Sequence, residues 1–152
     1  MDISLTEFLG AGKLDGLGPG TLAQSILDRI GRPEYEAKAG RRYPTYTWIY
    51  ESAHFYIERH SDLICVGIFI ESPPTGGPFP FPSDWTIVDW ELVGGMKRDE
   101  VEYYLRGLGL NARHSTDPYP SELIVDISQV RITFTDEDDT LWSFYSAART
   151  TE

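Results

Sequence analysis

Cysteine is nearly absent from this sequence, and histidine is scarce. The single cysteine, Cys65, lies in the apolar run Leu63-Ile64-Cys65-Val66, so no disulfide can form within the chain. A small buried side chain is the expected role for such a residue. The paired cysteines of zinc and redox sites are excluded, and a chain without disulfides fits a reducing compartment.

Long apolar runs are also missing. No segment reaches the roughly 20 apolar residues that a membrane-crossing helix needs. The stretch 1–7 has neither a basic start nor a long apolar core, so it does not resemble a secretory leader. We therefore expect a soluble, cytoplasmic protein with no membrane partner.

Basic residues are few. The sequence contains 13 of them and 24 acidic residues, which gives a net charge of -11. Such a field repels phosphate backbones, which disfavours nucleic acid, and it attracts a basic protein. A purely solubilising role for the acidity is the alternative. The acidic turn Asp136-Glu137-Asp138-Asp139 is expected to steer a partner electrostatically. It lacks the glycine and the distal glutamate of a calcium loop, so it predicts no metal site.

The recognisable catalytic signatures are absent as well. The sequence has no glycine-rich phosphate loop, no His-Glu-x-x-His helix and no Gly-x-Ser-x-Gly turn. His54, Tyr56 and Glu58 share one face of a predicted strand, where they could bind a metal or transfer a proton. The alternative is a polar outward face opposite Phe55 and Ile57. The sequence therefore predicts no enzyme, no catalytic residue, no metal and no cofactor.

The chain does contain an internal pattern. Aligned on itself with a shift of 75 residues, it keeps the order of its residue classes through a glycine-containing turn, a helix, a variable loop and a hairpin. The alternative is that two ordinary α/β segments share a spacing. We expect an α+β fold of two tandem αβββ units, 1–92 and 93–152, that share one core, with helices on one sheet face.

The periodicities also place individual elements. Helices are predicted at 5–9, 22–30 and 99–108, and strands at 45–50, 53–58, 63–70, 122–127, 130–135 and 140–147. A strand over 85–92 is expected to close the first unit, and loops are expected at 34–44, 72–83 and 110–120. The strand 63–70 is apolar at both parities, which predicts a central strand covered on both faces.

Aromatic residues are more informative than the ionisable ones. They crowd the first hairpin and the proline-rich loop, and such residues carry most of the binding energy at protein interfaces. Some must pack in the core or between the two units. Phe79 and Phe81, flanked by prolines, are the ones expected to be exposed. The full set of predicted protein-binding residues is Tyr46, Trp48, Tyr50, Tyr56, Phe79, Phe81 and Trp90.

A family resemblance supports this interpretation. It rests on Gly20-Thr21, a helix with Ile26 and Ile30, Gly31-x-Pro33 and Trp48-x-Tyr50, with Gly95-Met96, Glu100-Val101 and Leu105 as a second opening. This pattern resembles the repeat of the β-lactamase inhibitory protein and of the small outer-membrane-assembly lipoproteins. The resemblance implies tandem helix-plus-sheet units that bind another protein through the open face of the sheet.

Together these features predict a protein-binding module, such as an inhibitor or an immunity protein that neutralises a basic enzyme or toxin. The alternative is a small-molecule-binding or catalytic domain with a pocket between the two units, using His54 and Glu58 with aromatic walls. A homodimer formed through the aromatic face is a third possibility.

Overall fold

The structure, a computed structural model, describes residues 1–39, 45–115 and 121–147. Its three helices are α1 (Leu5–Ala11), α2 (Ala23–Ile30) and α3 (Arg98–Gly107). Its strands are β1 (Asp2–Ser4), β2 (Tyr35–Ala39), β3 (Thr45–Tyr50), β4 (Ala53–Arg59), β5 (Leu63–Glu71), β6 (Thr86–Asp89), β7 (Ala112–Ser115), β8 (Glu122–Val125), β9 (Arg131–Phe134) and β10 (Leu141–Ala147). The expected α+β class is confirmed. None of the helices in the described ranges is long and apolar enough to cross a membrane.

Eight strands form one antiparallel sheet in the order β2-β3-β4-β5-β10-β9-β8-β7. In chain order, α2 precedes β2 to β5, and α3 precedes β7 to β10. The last strand of each series pairs with the other, from Ser143 opposite Glu71 to Ala147 opposite Gly67. The remaining strands, β1 and β6, form a separate parallel pair.

Three expectations are corrected here. Strands β2 and β7 lie where loops were predicted, although 40–44 and 116–120 fall outside the described residues. Both are edge strands, and edge strands carry exposed charged side chains that hide the alternation of a half-buried strand. The segment 85–92 does not close the first unit, because β6 pairs with β1 in the other sheet.

Matching backbone contacts hold the start of α2 and the start of α3 against the sheet. The Gly20-Thr21 pair exchanges two hydrogen bonds with Cys65 in β5, both of 2.8 Å. The Gly95-Met96 pair exchanges two with Leu141 in β10, of 3.0 and 2.7 Å. Gly20 and Gly95 have φ angles of 94° and 90°, in the left-handed region that favours glycine.

One side of the large sheet faces the core. Along β4 the side chains alternate, with Ala53, Phe55 and Ile57 fully buried and the residues between them partly exposed. Ile26 of α2 and Val101 of α3 belong to the same buried cluster as these inward residues. The helices therefore cover the inward side of the sheet, and the predicted polar outward face of β4 is confirmed.

Helix α1 ends at a glycine that the packing requires. Gly12 has a φ of 72°, and a Cβ on it would lie 2.5 Å from Oγ of Ser146, which donates a hydrogen bond to the Gly12 carbonyl oxygen. Gly16 has a φ of 79° but open space around it, and Gly10 also has open space. Substitutions at these three glycines can therefore distinguish the energetic cost of backbone strain from that of steric overlap.

We expect Gly12→Ala to lower the free energy of unfolding by about 2 to 3 kcal/mol, since it combines a left-handed φ with a clash that displaces Ser146. Gly16→Ala should cost only about 1 kcal/mol, from the backbone alone. Gly10→Ala should be neutral or stabilising. Urea denaturation of the three variants measures this, and equal costs at Gly12 and Gly16 would contradict the packing role of Gly12.

Candidate functional site

Three of the predicted binding residues lie in the core instead. Trp48, Tyr50 and Phe79 are 5%, 3% and 4% exposed. The Tyr50 hydroxyl donates a hydrogen bond of 2.8 Å to the Gly31 carbonyl oxygen. Burial raises the pKa of Tyr50 to about 12. These side chains are buried in the core rather than on an exposed surface, which does not favour their predicted role as anchors for a partner.

The proline-rich loop turns its aromatic rings inward. Phe81 and Trp90 are half-buried and their centroids lie 5.2 Å apart, while Phe79 lies 5.5 Å from Phe144. The expectation that Phe79 is exposed is wrong, and Phe81 is exposed only in part. Large aromatic rings remove much apolar area from water when they pack against a core. This gain explains why the loop closes over one end of the core.

Tyr46 is half-buried and packs against the core, with Nζ of Lys38 5.9 Å from its ring centroid. Tyr56 is placed differently. It lies on the outward side of β4, and its ring centroid is 6.2 Å from that of Tyr145 in β10. Of the seven predicted aromatic residues, Tyr56 is therefore the one on the side of the sheet away from the helices.

The outward side of the central strands forms a shallow depression of about 540 Å3. Its lining comes from β3, β4, β5, β8, β9 and β10. We call this surface the open face, and its main residues are Tyr56, Glu58, Phe69, Arg131, Trp142 and Tyr145.

Cross-strand pairing brings the aromatic residues of the open face together. His54, Phe69, Tyr145 and Arg131 are successive neighbours across β4, β5, β10 and β9. The Phe69 ring lies 5.8 Å from the His54 ring and 6.1 Å from the ring of Trp142, which is 40% exposed. The result is a group of aromatic side chains on neighbouring strands, of which Trp142 is exposed and the others are partly exposed.

Gly67 makes room for one of these rings. A Cβ at Gly67 would lie 3.2 Å from both Cε2 and the hydroxyl oxygen of Tyr145. Tyr56 and Gly67 are direct cross-strand neighbours. The absence of a side chain at Gly67 therefore lets the Tyr145 ring lie across β5 next to Tyr56.

Among the described residues that line or border the open face, carboxylates outnumber cations. Glu122, which is 8% exposed, is paired with the Arg131 guanidinium. Glu58 and Glu71 are partly exposed on β4 and β5, and within the described part of the chain neither has an ion-pair partner. The surface around the aromatic residues is therefore negative at neutral pH.

The titration of the open face follows from burial and from these carboxylates. Burial raises the pKa of Tyr56, with smaller contributions from Tyr145 and Glu71. Burial also raises the pKa of Tyr145, and Glu58 adds to the shift. Both phenol groups stay protonated at neutral pH and can donate hydrogen bonds. Burial lowers the pKa of His54 more than Glu71 raises it, so this imidazole is neutral at pH 7.

His54 and Glu58 do not form a compact reactive site. They lie four residues apart on one strand, which separates their Cα atoms by about 13 Å. Glu58 lines the depression and His54 is outside its lining. Among the described residues, no group of three His, Cys, Asp or Glu side chains could hold a metal ion. This separation does not favour joint acid–base chemistry by the two side chains.

The acidic turn joins β9 to β10, as expected of a hairpin turn. Asp136, Glu137 and Asp138 are exposed, but Asp139 has a structural partner. The Arg98 guanidinium donates hydrogen bonds of 2.7 and 3.0 Å to the two Asp139 carboxylate oxygens. The Arg98 side chain is 16% exposed, so Asp139 anchors the turn to the start of α3.

This pair predicts a pH-dependent contribution to stability. The Arg98 hydrogen bonds lower the pKa of Asp139 below its ordinary value of 3.8. A depressed pKa in the folded state stabilises the fold at neutral pH, and that stabilisation is lost as the pH falls through the folded-state pKa. Asp139→Asn should lower the free energy of unfolding by under about 1 kcal/mol at pH 7, because the carboxylate is half-exposed.

The control for this prediction is Asp138→Asn, which removes the same charge from the same turn and should leave stability unchanged. Denaturation at pH 7 and at about pH 3 should show the Asp139→Asn effect shrinking in acid. Equal effects of the two substitutions would assign the result to net charge rather than to the Arg98 pair.

No protein-family model matches the chain, and no curated protein matches it in sequence. An extracellular protein containing an SCP domain from Bacillus anthracis is similar in structure, with a TM-score of 0.42 and 11% identity, over 85% of this chain and 43% of that one. A cysteine-rich secretory protein from Staphylococcus aureus has a TM-score of 0.44 and 8% identity, over 88% and 46%. The chain spans less than half the length of either.

These findings correct two expectations. The resemblance to the β-lactamase inhibitory protein and the assembly lipoproteins is wrong, because the similar solved structures are an SCP-domain protein and a cysteine-rich secretory protein. Its glycine, helix and Gly-x-Pro pattern consists of helix start and stop residues that many folds share. The expected cytoplasmic location is not supported either: the similar structures are described as an extracellular protein and a cysteine-rich secretory protein. A single buried cysteine forms no internal disulfide in any compartment, so Cys65 is uninformative about location.

Proposed function

We propose that this chain is a protein-binding module and that the open face is its binding surface. The observation that carries the proposal is the aromatic cluster of Tyr56, Phe69, Trp142 and Tyr145, which lies on the side of the sheet away from the helices. Exposed aromatic residues that are held rigidly by strands are typical of the residues that dominate binding energy at protein interfaces.

The shape of the open face favours a protein over a small molecule. Small-molecule sites are concave and bury most of the ligand. The depression on the open face is shallow, and its aromatic rings come from neighbouring strands of one sheet. Such a surface offers contact area rather than enclosure, and for this reason we do not favour the small-molecule or catalytic alternative.

Net charge supports a basic partner. The whole chain carries -11, and the exposed acidic residues of the turn Asp136-Glu137-Asp138 add to a field that speeds the approach of a positively charged protein. The expectation that binding neutralises a basic enzyme or toxin stays a prediction. Measuring the partner's own activity with and without this chain tests it.

We also propose that the chain consists of two copies of one unit, a helix followed by four strands. Supporting this are the matching hydrogen bonds of Gly20-Thr21 and Gly95-Met96 and an extra, bulged residue at the same place in β5 and β10, Val66 and Trp142. In such a duplication Phe69 and Tyr145 are equivalent, and they are direct neighbours at the junction of the two units.

The duplication predicts equal behaviour of equivalent positions. Gly20 and Gly95 both have φ near 90° and open space where a Cβ would be. We expect Gly20→Ala and Gly95→Ala to lower the free energy of unfolding by the same amount, about 1 kcal/mol, within about 0.5 kcal/mol of one another. Chemical denaturation measures both, and costs that differ by more than about 1.5 kcal/mol would count against the duplication.

A photo-crosslinking experiment tests the binding surface. A benzoylphenylalanine introduced in place of Trp142 should crosslink a partner protein, and the yield should fall at least about tenfold when Tyr145→Ala is added, since hot-spot residues cost about 2 kcal/mol or more. Tyr103 on α3 is 75% exposed, so the same probe at that position is the matched control and should capture little.

The outcomes separate the alternatives. Equal capture from positions 142 and 103, or capture insensitive to Tyr145→Ala, would contradict binding through the open face. Crosslinked dimers of the chain itself would assign the aromatic surface to a homodimer instead. Circular dichroism of each variant, compared with the parent chain, shows that the fold is retained.

A further inference from the structure

The open face has a deficit of positive charge close to its aromatic rings. Among the described residues it carries the carboxylates of Glu58, Glu71 and Glu122, and the cation that lines the depression, Arg131, is already paired with Glu122. A partly exposed carboxylate beside apolar surface is less well hydrated than one in open water, so a cation placed near Glu58 or Glu71 would gain more than on an ordinary surface.

The register places each unpaired carboxylate beside an aromatic ring. Tyr56 and Glu58 are two residues apart on β4, and Phe69 and Glu71 are two residues apart on β5, so the members of each pair share one face at a spacing of about 7 Å. Because β4 and β5 run antiparallel, the two carboxylates lie toward opposite ends of the aromatic cluster. A side chain lying on Tyr56 and Tyr145 would therefore have a carboxylate within reach.

The raised pKa values of the two phenol groups agree with this arrangement. Beyond burial, Glu71 contributes to the raised pKa of Tyr56, and Glu58 contributes to that of Tyr145. The negative field of both carboxylates thus reaches the rings. Since aromatic faces also attract cations, the two effects act in the same direction.

We propose that the open face receives a cationic side chain of the partner, arginine in preference to lysine, stacked on Tyr56 and Tyr145 and paired with Glu58 or Glu71. This inference rests on the proposed protein-binding function and names the chemistry of the partner, a basic protein segment. Arginine is preferred because its planar guanidinium stacks on a ring and donates to a carboxylate at the same time, whereas an ammonium is more strongly hydrated.

A basic protein segment fits this surface better than the other ligands of the same charge. The depression extends past the carboxylates onto Val66, Phe69 and Trp142, which offer apolar contact that a free ion or a small amine would leave unused. A polyanion such as nucleic acid is repelled by the unpaired carboxylates. The geometry therefore points to an extended segment with one or more arginines among apolar residues.

Blocked peptides provide a direct test with the full chain. The probes are acetyl-Gly-Arg-Leu-Arg-Gly-amide, the same peptide with lysine, and the same peptide with citrulline, which keeps the shape of arginine but is uncharged. Binding is followed by NMR through the indole N–H of Trp142, assigned with Trp142→Phe, at about 20 mM and about 300 mM salt. We expect the arginine peptide to bind at least about tenfold more tightly than the citrulline peptide at low salt, and more tightly than the lysine peptide.

Charge-neutral variants decide whether Glu58 and Glu71 are responsible. The double variant Glu58→Gln/Glu71→Gln should weaken binding of the arginine peptide by about tenfold. The matched control Asp28→Asn/Glu100→Gln removes the same charge from exposed positions of α2 and α3, on the other side of the sheet, and should change affinity less than about twofold. Equal effects of the two double variants, equal affinity for the citrulline peptide, or tighter binding of lysine would each overturn the inference.

The failure of this inference is distinguishable from failure of the proposed function. If the probe at position 142 still captures a protein while Glu58→Gln/Glu71→Gln leaves capture unchanged, binding through the open face stands and the cationic contact is wrong. If no protein is captured and no peptide shifts the Trp142 resonance, both are wrong.

Discussion

The pairing of β5 with β10 is the contact on which the rest of the structure depends. Five residue pairs, from Ser143 opposite Glu71 to Ala147 opposite Gly67, join two four-strand series into one sheet. On the inward side this junction brings Ile68, Ile70 and Phe144 into one core. On the outward side it places Phe69 directly opposite Tyr145, at the centre of the open face. Loss of this pairing would separate both the core and the proposed site into halves, each with an unpaired strand edge.

Two β-bulges explain why the open face could not be predicted from the sequence. The pairing of β4 with β5 skips Val66, and that of β9 with β10 skips Trp142, so the inward and outward positions exchange within each strand. In β5 the inward residues are therefore Cys65, Ile68 and Ile70, which no simple alternation describes. The unbroken apolar run over 63–70 indicated a central strand, and β5 is central. It also suggested that both faces are covered, which is wrong, because the half-exposed Phe69 belongs to the open face.

The helices, the hairpins and the outward face of β4 could be predicted because each follows from local periodicity. The edge strands could not, since β2 and β7 pair on one side only and most of their side chains face solvent. Tyr56 was found because its neighbours Phe55 and Ile57 alternate cleanly with it. Phe69, Trp142 and Tyr145 were missed because their grouping depends on the register between strands that are distant in the sequence. The register of bulged strands cannot be derived from a single sequence.

The aromatic residues of the proline-rich loop show how one physical argument can favour opposite outcomes. Prolines reduce the entropy that a loop loses when its side chains are fixed, and this suggested that Phe79 and Phe81 are held ready for a partner. The same low cost applies when the loop folds onto its own chain. Burial of a phenylalanine stabilises the fold by about 1.5 to 3 kcal/mol, and this stabilisation does not depend on the presence of a partner. A rigid loop next to an uncovered core end therefore closes over it, as Phe79 does against Phe144.

Aromatic side chains stay exposed where the backbone prevents such closure, and the outward positions of a paired strand meet that condition. Trp142 and Tyr145 cannot turn inward because Phe144 occupies the inward position between them. For this reason the exposed aromatic residues of the sheet, rather than those of the loop, form the surface that we assign to binding.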